Sequence, residues 1–318
     1  MKVSMQVKES ILLLGGNGFI GKNIIKYFRN LNIFLDFQIV VLSRKFQGKK
    51  DDGILYEVGD YGDKEILEAL FSKWNFTKVF HLASSSVPIS SNNNILVDLT
   101  GNLIATICLL DVMREHRCNY ILFLSSGGAV YGDKNIPAIS EKELCSPISS
   151  YGIVKLTIEN YLKLYQKLYG INYLILRISN PFGAFHESEI QGVINIAIRR
   201  AIKGEPLEVW GNGSQSKDYI FMDDLLRIII ELVENKIINK TINIGSGKSY
   251  PLNAILNKIK LTLPEFKIKY IESKPTDIKD FCLDISLLQS LINFEFTEFE
   301  EAISKTIGYE QEQLYKSI

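Results

Sequence analysis

Apolar residues in this chain gather into short unbroken runs, and between the runs they recur every three or four positions. The runs are Ile11–Leu14, Gln38–Leu42, Ile54–Val58, Val79–Leu82, Tyr120–Leu124 and Tyr173–Arg177. Each is too short for a helix and apolar on consecutive positions, which predicts strands buried on both faces. The intervening segments Ile20–Leu31, Asp63–Trp74, Leu99–Arg114 and Tyr151–Tyr169 carry the helical repeat. Strands alternating with helices predict an α/β fold with a doubly wound parallel sheet and a ligand at the carboxyl ends of its strands.

After Asn180-Pro181-Phe182-Gly183 the rhythm changes. A helix over Val193–Lys203, an edge segment Leu207–Trp210, a strand over Tyr219–Met222 and helices from Asp223, Pro251 and Ile285 follow. These pieces predict a smaller C-terminal α/β lobe for substrate. The expected division is residues 1–180 and 181–318, not strictly contiguous along the chain, with no linker or low-complexity stretch between them.

Composition narrows the classes. At 318 residues and 46% hydrophobic, the chain can bury a large core. Lys plus Arg and Asp plus Glu balance at 36 each, so nothing draws it to nucleic acid or to an anionic membrane. No apolar run reads as long enough to span a bilayer, and Met1–Ser10 lacks the core of a signal peptide. The expectation is a cytoplasmic protein with no membrane and no nucleic-acid partner. Cys108, Cys118, Cys145 and Cys282 lack paired spacing and read as free thiols. His81, His116 and His186 lack ligand spacing, so no metal site is expected.

Two motifs carry the chemistry. Gly15, Gly18 and Gly21 follow the first strand and open a helix. That context lets a backbone approach a pyrophosphate at a helix N-terminus, with Asn17, Phe19 and Ile20 in the same turn. A nicotinamide dinucleotide is the expected cofactor. The second strand ends Ser43-Arg44-Lys45 with no acid for the ribose hydroxyls, which tilts a choice between NAD and NADP modestly toward NADP. Asp60, followed by Tyr61, is read either as a contact to the adenine amino group or as a helix cap. Leu82, Ala83 and Ser84 line the fourth strand's exit toward the cofactor, and Ser86 lies there toward substrate. The second motif is Tyr151-Gly152-Ile153-Val154-Lys155, with a phenol and an ammonium on one helix face.

With Ser125-Ser126-Gly127-Gly128-Ala129-Val130-Tyr131-Gly132, Arg177 through Gly183, Trp210 through Tyr219 and Asn243 through Gly247, the chain resembles the extended short-chain dehydrogenase/reductase superfamily. Within it the NAD-dependent epimerase/dehydratase branch, which acts on nucleotide sugars, is most similar. The resemblance implies a Rossmann domain and a nucleotide-diphosphate sugar as substrate. It also implies that Tyr151 removes a hydroxyl proton while Lys155 favours the phenolate and holds the nicotinamide ribose. Lowering a phenol from about 10 by roughly 3 is worth about 4 kcal/mol.

The family places Ser or Thr four residues before the Tyr of Val-Tyr-Gly. Here that position is Gly127, and Ser126 is the hydroxyl assigned in its stead. The acid pair of the 4,6-dehydratases is replaced by Gly128 and Ala129. The Cys and His of enzymes inverting carbons 3 and 5 are absent at Ala129 and over residues 188–194. Chemistry at carbon 4 remains, with net 4-epimerisation as the leading expectation and a 4-dehydrogenase or 4-keto reductase as the alternative. A non-catalytic dinucleotide sensor ranks below both.

By the same resemblance Ser125 and Asn102 face the cofactor. Asn180, Lys217 and Lys274 meet the diphosphate or sugar, with Ser86 and Gly127 beside them. The helices Leu99–Arg114 and Tyr151–Tyr169 pair across a homodimer.

Overall fold

The computed structural model describes residues 9–31, 37–45, 53–86, 91–134, 136–272 and 280–317. In chain order the elements begin β1 (Glu9–Leu14), α1 (Phe19–Asn30), β2 (Phe37–Ser43), β3 (Ile54–Val58), α2 (Lys64–Trp74), β4 (Lys78–His81) and α3 (Ile95–Glu115). They continue β5 (Tyr120–Ser126), α4 (Gly127–Tyr131), α5 (Ser150–Tyr169), β6 (Asn172–Ile178), β7 (Asn180–Phe182), α6 (Val193–Ile202), β8 (Leu207–Trp210) and β9 (Ser216–Phe221). The rest are α7 (Met222–Glu234), β10 (Lys240–Ile244), β11 (Ser249–Pro251), α8 (Leu252–Thr262), β12 (Ile268–Ile271), β13 (Asp280–Phe281), α9 (Ser286–Leu291) and α10 (Phe299–Ser317).

Seven strands form one sheet in the order β10-β6-β5-β4-β1-β2-β3. β1 runs parallel to both β2 and β4, in registers Leu12↔Val40 and Leu12↔Val79. The chain therefore reverses its winding direction at β1, and the crevice outside the carboxyl ends of β1 and β4 is the switch point where such folds bind ligands. All six apolar runs became strands of this sheet. β10, Lys-Thr-Ile-Asn-Ile, escaped the sequence reading because its polar Lys240 and Asn243 break the apolar run.

Contacts divide the chain into two compact units. The first comprises Met1–Ser125, Pro147–Leu176 and Ile237–Thr241. Its core packs Leu12, Val40, Phe71, Leu109, Phe123 and Ile158. The second comprises Ser126–Ser146, Arg177–Lys236 and Ile242–Ile318. Its core gathers Phe182, Ile198, Phe221, Ile255 and Phe299 around a four-stranded sheet of β11, β9, β13 and β7.

Helix boundaries follow local chemistry. The Asp63 carboxylate caps α2 by accepting from the Ile66 N–H at 3.2 Å, and Asn75 closes the helix in a left-handed conformation. Ser149 caps α5 by accepting from the Gly152 N–H, and Gly170 ends it. α3 corrects the expectation that no run reaches membrane-spanning length. Its 21 residues have a mean hydropathy of 1.8 in the most apolar window, long and apolar enough by length and composition to cross a membrane, with 39% of that window buried inside the protein. The sequence reading began this helix at Leu99, after the charge of Asp98. The apolar residues in fact occupy two faces: Leu109, Leu110 and Met113 enter the core, while Ile95, Leu96, Val97 and Ile104 are exposed. A π-helical stretch, Leu99–Ile104, interrupts it. The four cysteines are free, as expected.

Candidate active site

Gly15 leaves β1 at φ +82°, a left-handed conformation that glycine adopts without strain. A Cβ there would lie 2.7 Å from the Ala83 N, and one at Gly21 would lie 2.3 Å from the Gly15 O. The turn is thus pressed against the exit of β4, where Leu82 and Ala83 are half-buried and the Leu82 N–H donates to the Leu14 O at 3.0 Å. A Cβ on Gly18 would meet only the Gly15 O, at 3.3 Å, so that side of the turn is open to an approaching group. Gly18 is also the N-cap of α1, and no side chain caps the helix there. Phe19 and Ile20 open its first turn, half-buried. An open glycine turn on a helix N-terminus fits a dinucleotide pyrophosphate.

The exit of β2 is tied to this turn. Asn17 Nδ2 donates to Ser43 Oγ at 2.8 Å and to Lys45 O at 3.0 Å, and Ser43 Oγ donates to Lys45 O at 2.7 Å. Arg44 and Lys45 are exposed. Asp60 accepts from the Gly62 N–H, and with Asp63 capping α2 the capping role considered for Asp60 is filled by its neighbour. Tyr61 is turned inward: its hydroxyl donates to the Gly101 O at 2.8 Å and its ring meets His81 edge-on. Ser84 is exposed, with its hydroxyl donating to the Ser86 O.

Tyr151 and Lys155 stand one turn apart at the start of α5. Segment 91–98 fixes that start through Ser91 Oγ, which accepts from the Tyr151 N–H at 3.1 Å, and Asn92 Oδ1, which accepts from the Ser150 N–H at 2.9 Å. Ser150 Oγ donates to Asp98 Oδ2 at 2.7 Å. Lys155 is 5% exposed. Its Nζ donates to the Leu124 O at 2.8 Å and lies 4.6 Å from the Phe123 ring centroid and 5.6 Å from that of Tyr151. Burial pulls this ammonium down to about 8, against the opposing carboxylates of Glu159 and Asp98. Burial, and the Asp98 charge after it, push the Tyr151 phenol up to about 12. In the protein alone desolvation of the phenolate dominates, and a further positive charge is needed to lower it.

Two assigned residues are spent inside the protein. Ser125 Oγ donates to the fully buried Glu159 at 2.6 Å. Asn102 Oδ1 accepts from the Ser85 N–H at 2.8 Å while its Nδ2 donates to Asp98 Oδ1 at 2.7 Å and to Ser86 Oγ at 3.3 Å. Ser125 and Asn102 are therefore both held by partners within the first unit. Sequence reasoning missed Asp98, Glu159 and Ser150. Glu159 was legible, four residues after Lys155 and so on the same helix face. Asp98 carried no signal of that kind.

His81, at the end of β4, is buried against α3, its Nε2 3.0 Å from Thr106 Oγ1. The Thr106 hydroxyl donates to the Asn102 O at 2.6 Å, so His81 donates from Nε2. Burial, and the Lys155 charge after it, push the imidazole down to about 3. A histidine so depressed contributes its full stability above its unfolded value of about 6.5 and loses it as pH falls toward the folded value. At pH 5 the loss relative to pH 7 is about 2 kcal/mol. The denaturant midpoint should drop accordingly, and His81→Gln should narrow the gap between the two pH values. An equal gap in that variant would place the acid sensitivity elsewhere.

The second unit carries the remaining assigned residues. Ser126 is the N-cap of α4 without a capping bond from its side chain, and Gly127 begins that helix. A Cβ on Gly127 would come within 3.0 Å of Leu283 Cδ2 and 3.3 Å of Phe281 Cζ. A serine or threonine there would need these side chains to give way by a few tenths of an ångström. Asn180 Nδ2 donates to the Asp218 O at 2.8 Å, and Lys217, in β9, is half-buried. Lys274 lies outside the described residues. Two motifs far apart in sequence meet here, for the buried Asp218 carboxylate accepts from the Ser246 N–H at 2.8 Å, Ser246 Oγ at 3.0 Å and the Gly247 N–H at 3.3 Å. Tyr131 donates to Asn243 Oδ1 at 2.8 Å, and Arg177 lies over the Tyr131 ring.

Comparison with known proteins agrees with this geometry. The profile of the NAD dependent epimerase/dehydratase family matches residues 11–245. A putative UDP-glucose 4-epimerase of Methanocaldococcus jannaschii is 31% identical over 306 residues, 94% of this chain and 97% of that one. A dTDP-4-dehydro-6-deoxyglucose reductase of Escherichia coli is 32% identical over 270 residues, 80% of this chain and 82% of its own. Among solved structures, the UDP-glucose 4-epimerase of Thermotoga maritima with UDP-glucose superposes with a TM-score of 0.88 at 28% identity, covering 96% of this chain and 99% of that one.

Proposed function

We propose that this chain, which belongs to the NAD dependent epimerase/dehydratase family, inverts carbon 4 of a nucleotide-diphosphate sugar through a 4-keto intermediate. The observation that carries this reading is Tyr151 and Lys155 on one face of α5, with the Lys155 Nζ 5.6 Å from the Tyr151 ring centroid, in the unit that also holds the open glycine turn. NAD is the cofactor, held by Gly15, Gly18 and Gly21, with Asn17, Phe19 and Ile20 in the same turn, Ser43, Arg44 and Asp60 toward the adenosine, and Leu82, Ala83 and Ser84 along the β4 exit. When bound, it supplies hydride acceptance and return at carbon 4. Tyr151 takes the proton of the 4-hydroxyl and gives it back after the keto sugar has turned its other face. Lys155 holds the ribose and, as an ammonium, favours the phenolate. Ser126 steadies the reacting oxygen. Asn180, Lys217 and Lys274 receive the diphosphate and sugar, and Ser86 at the β4 exit also serves the substrate.

A cytoplasmic homodimer completes the reading. Support for the dimer comes from exposed apolar residues on α3 and α5, among them Leu96, Ile104, Ile153, Leu164 and Leu168. An apolar surface of that kind is suited to a second copy.

The test uses purified protein, without added cofactor, and a panel of nucleotide-diphosphate sugars, followed by proton NMR and reduced-nicotinamide absorbance together. Inversion at carbon 4 over many turnovers without net absorbance change is the expected result. A 4-keto or singly reduced product in step with cofactor consumed would overturn it for a second reading, a 4-keto reductase or 4-dehydrogenase. That reading is favoured by Gly127, which removes the usual hydroxyl, and by the reductase of Escherichia coli at 32% identity.

A further inference from the structure

Asp98 is a carboxylate buried to 1% exposure beside the proton-transfer helix. Three side chains donate to it: Ser86 Oγ at 2.6 Å and Asn102 Nδ2 at 2.7 Å on Oδ1, and Ser150 Oγ at 2.7 Å on Oδ2. A buried carboxylate is costly unless it is hydrogen-bonded, and here three short hydrogen bonds come from neutral donors. Its donors come from the β4 exit, from the π-helical stretch of α3 and from the residue preceding Tyr151, so one carboxylate joins the three segments on which the site is built.

We propose that Asp98 is a positioning residue that sets the pH window of Tyr151, clamping the start of α5 through Ser150 and imposing a negative charge on the Tyr151–Lys155 pair. The inference rests on the carbon-4 reading above. A carboxylate near a phenol opposes its ionisation and, near an ammonium, favours the charged form. Asp98 does both here, raising the Tyr151 phenol and the Lys155 ammonium. The other titratable groups facing this pair are Glu159 on α5, which also supports the Lys155 charge, and His81 on β4, which stays neutral under the pull of burial. The Asp98 charge thus moves the working range of the pair toward alkaline pH.

Asp98→Asn is the decisive variant. An asparagine keeps Oδ1 as the acceptor for Ser86 and Asn102 and turns an amide on Ser150 Oγ, which can accept. The charge goes while the clamp remains. The primary readout is the titration of the Tyr151 ring-carbon NMR signal in protein saturated with NAD and carrying 13C-labelled tyrosine, assigned by its absence in Tyr151→Phe. The expected midpoint falls by about one pH unit in Asp98→Asn, and the acid limb of turnover moves with it. Ser150→Ala, which loosens the clamp and keeps the charge, should leave the midpoint in place. If Asp98→Asn leaves the midpoint where wild type has it, or Ser150→Ala moves it equally, Asp98 is a clamp only and the proposal falls. Should Asp98→Asn not fold by circular dichroism, Asp98→Ser is read in the same titration. Because the titration needs no sugar turnover, a shifted midpoint in a protein that inverts no sugar overturns the proposed reaction and leaves this inference standing.

Discussion

Replacing Tyr151 with phenylalanine should lower turnover of the nucleotide sugar by about 10^2- to 10^4-fold, the range for removal of a positioned acid–base group. The ring is retained, so its packing and the neighbouring Lys155 ammonium are undisturbed, and only the phenolic proton carrier is lost. NAD affinity and circular dichroism should stay close to wild type, since the glycine turn and the core of the first unit do not use the phenol. The measurement is steady-state turnover on whichever sugar the panel identifies, alongside NAD titration. Turnover within tenfold of wild type would remove Tyr151 from proton transfer. The phenol is held up at about 12 by burial and Asp98 in the protein alone, so the positive charges around it decide whether it works as a base. Lys155, down at about 8, loses its charge as pH rises through that value, and turnover should decline there.

Gly15→Ala should abolish NAD binding and destabilise the first unit. The residue sits at φ +82°, where an L-residue is strained by about 1–2 kcal/mol. The added Cβ would also lie 2.7 Å from the Ala83 N and 2.9 Å from the Ala83 Cα. Both contacts are backbone at the end of β4, so relief requires the β1 and β4 exits to part. That separation would open the switch-point crevice that receives the dinucleotide. Thermal denaturation checks both effects: wild type should gain stability on adding NAD, and Gly15→Ala should melt lower and gain nothing. An NAD-dependent rise equal to that of wild type would show that the close approach of these two strands is dispensable for binding.

Much of the architecture was written in short-range patterns. Six apolar runs became strands because each is too short for a helix and pairs its backbone in the sheet, with β3 at the sheet edge only partly buried, and the glycine spacing marked the turn because only glycine fits between β1 and β4. The tyrosine–lysine spacing placed both side chains on one helix face wherever that helix packs. The pairing of β10, the π-helical stretch in α3 and the two-faced apolar character of that helix depend on partners remote in sequence. Partnership among the polar residues was also invisible. The hydrogen-bond partners of Ser125, Tyr61 and Asn102, namely Glu159, Gly101 and Asp98, could not be read from the chain. Burial makes an unpaired polar group expensive, so tertiary contacts decided which side chains are spent in the protein. The sequence by itself determined the fold, the glycine turn and the tyrosine–lysine pair that includes the proposed proton carrier, because these follow from local spacing. Only the tertiary structure decided the charge environment of that carrier, since Asp98 and Tyr151 are 53 residues apart in the chain and meet through the packing of α3 against α5.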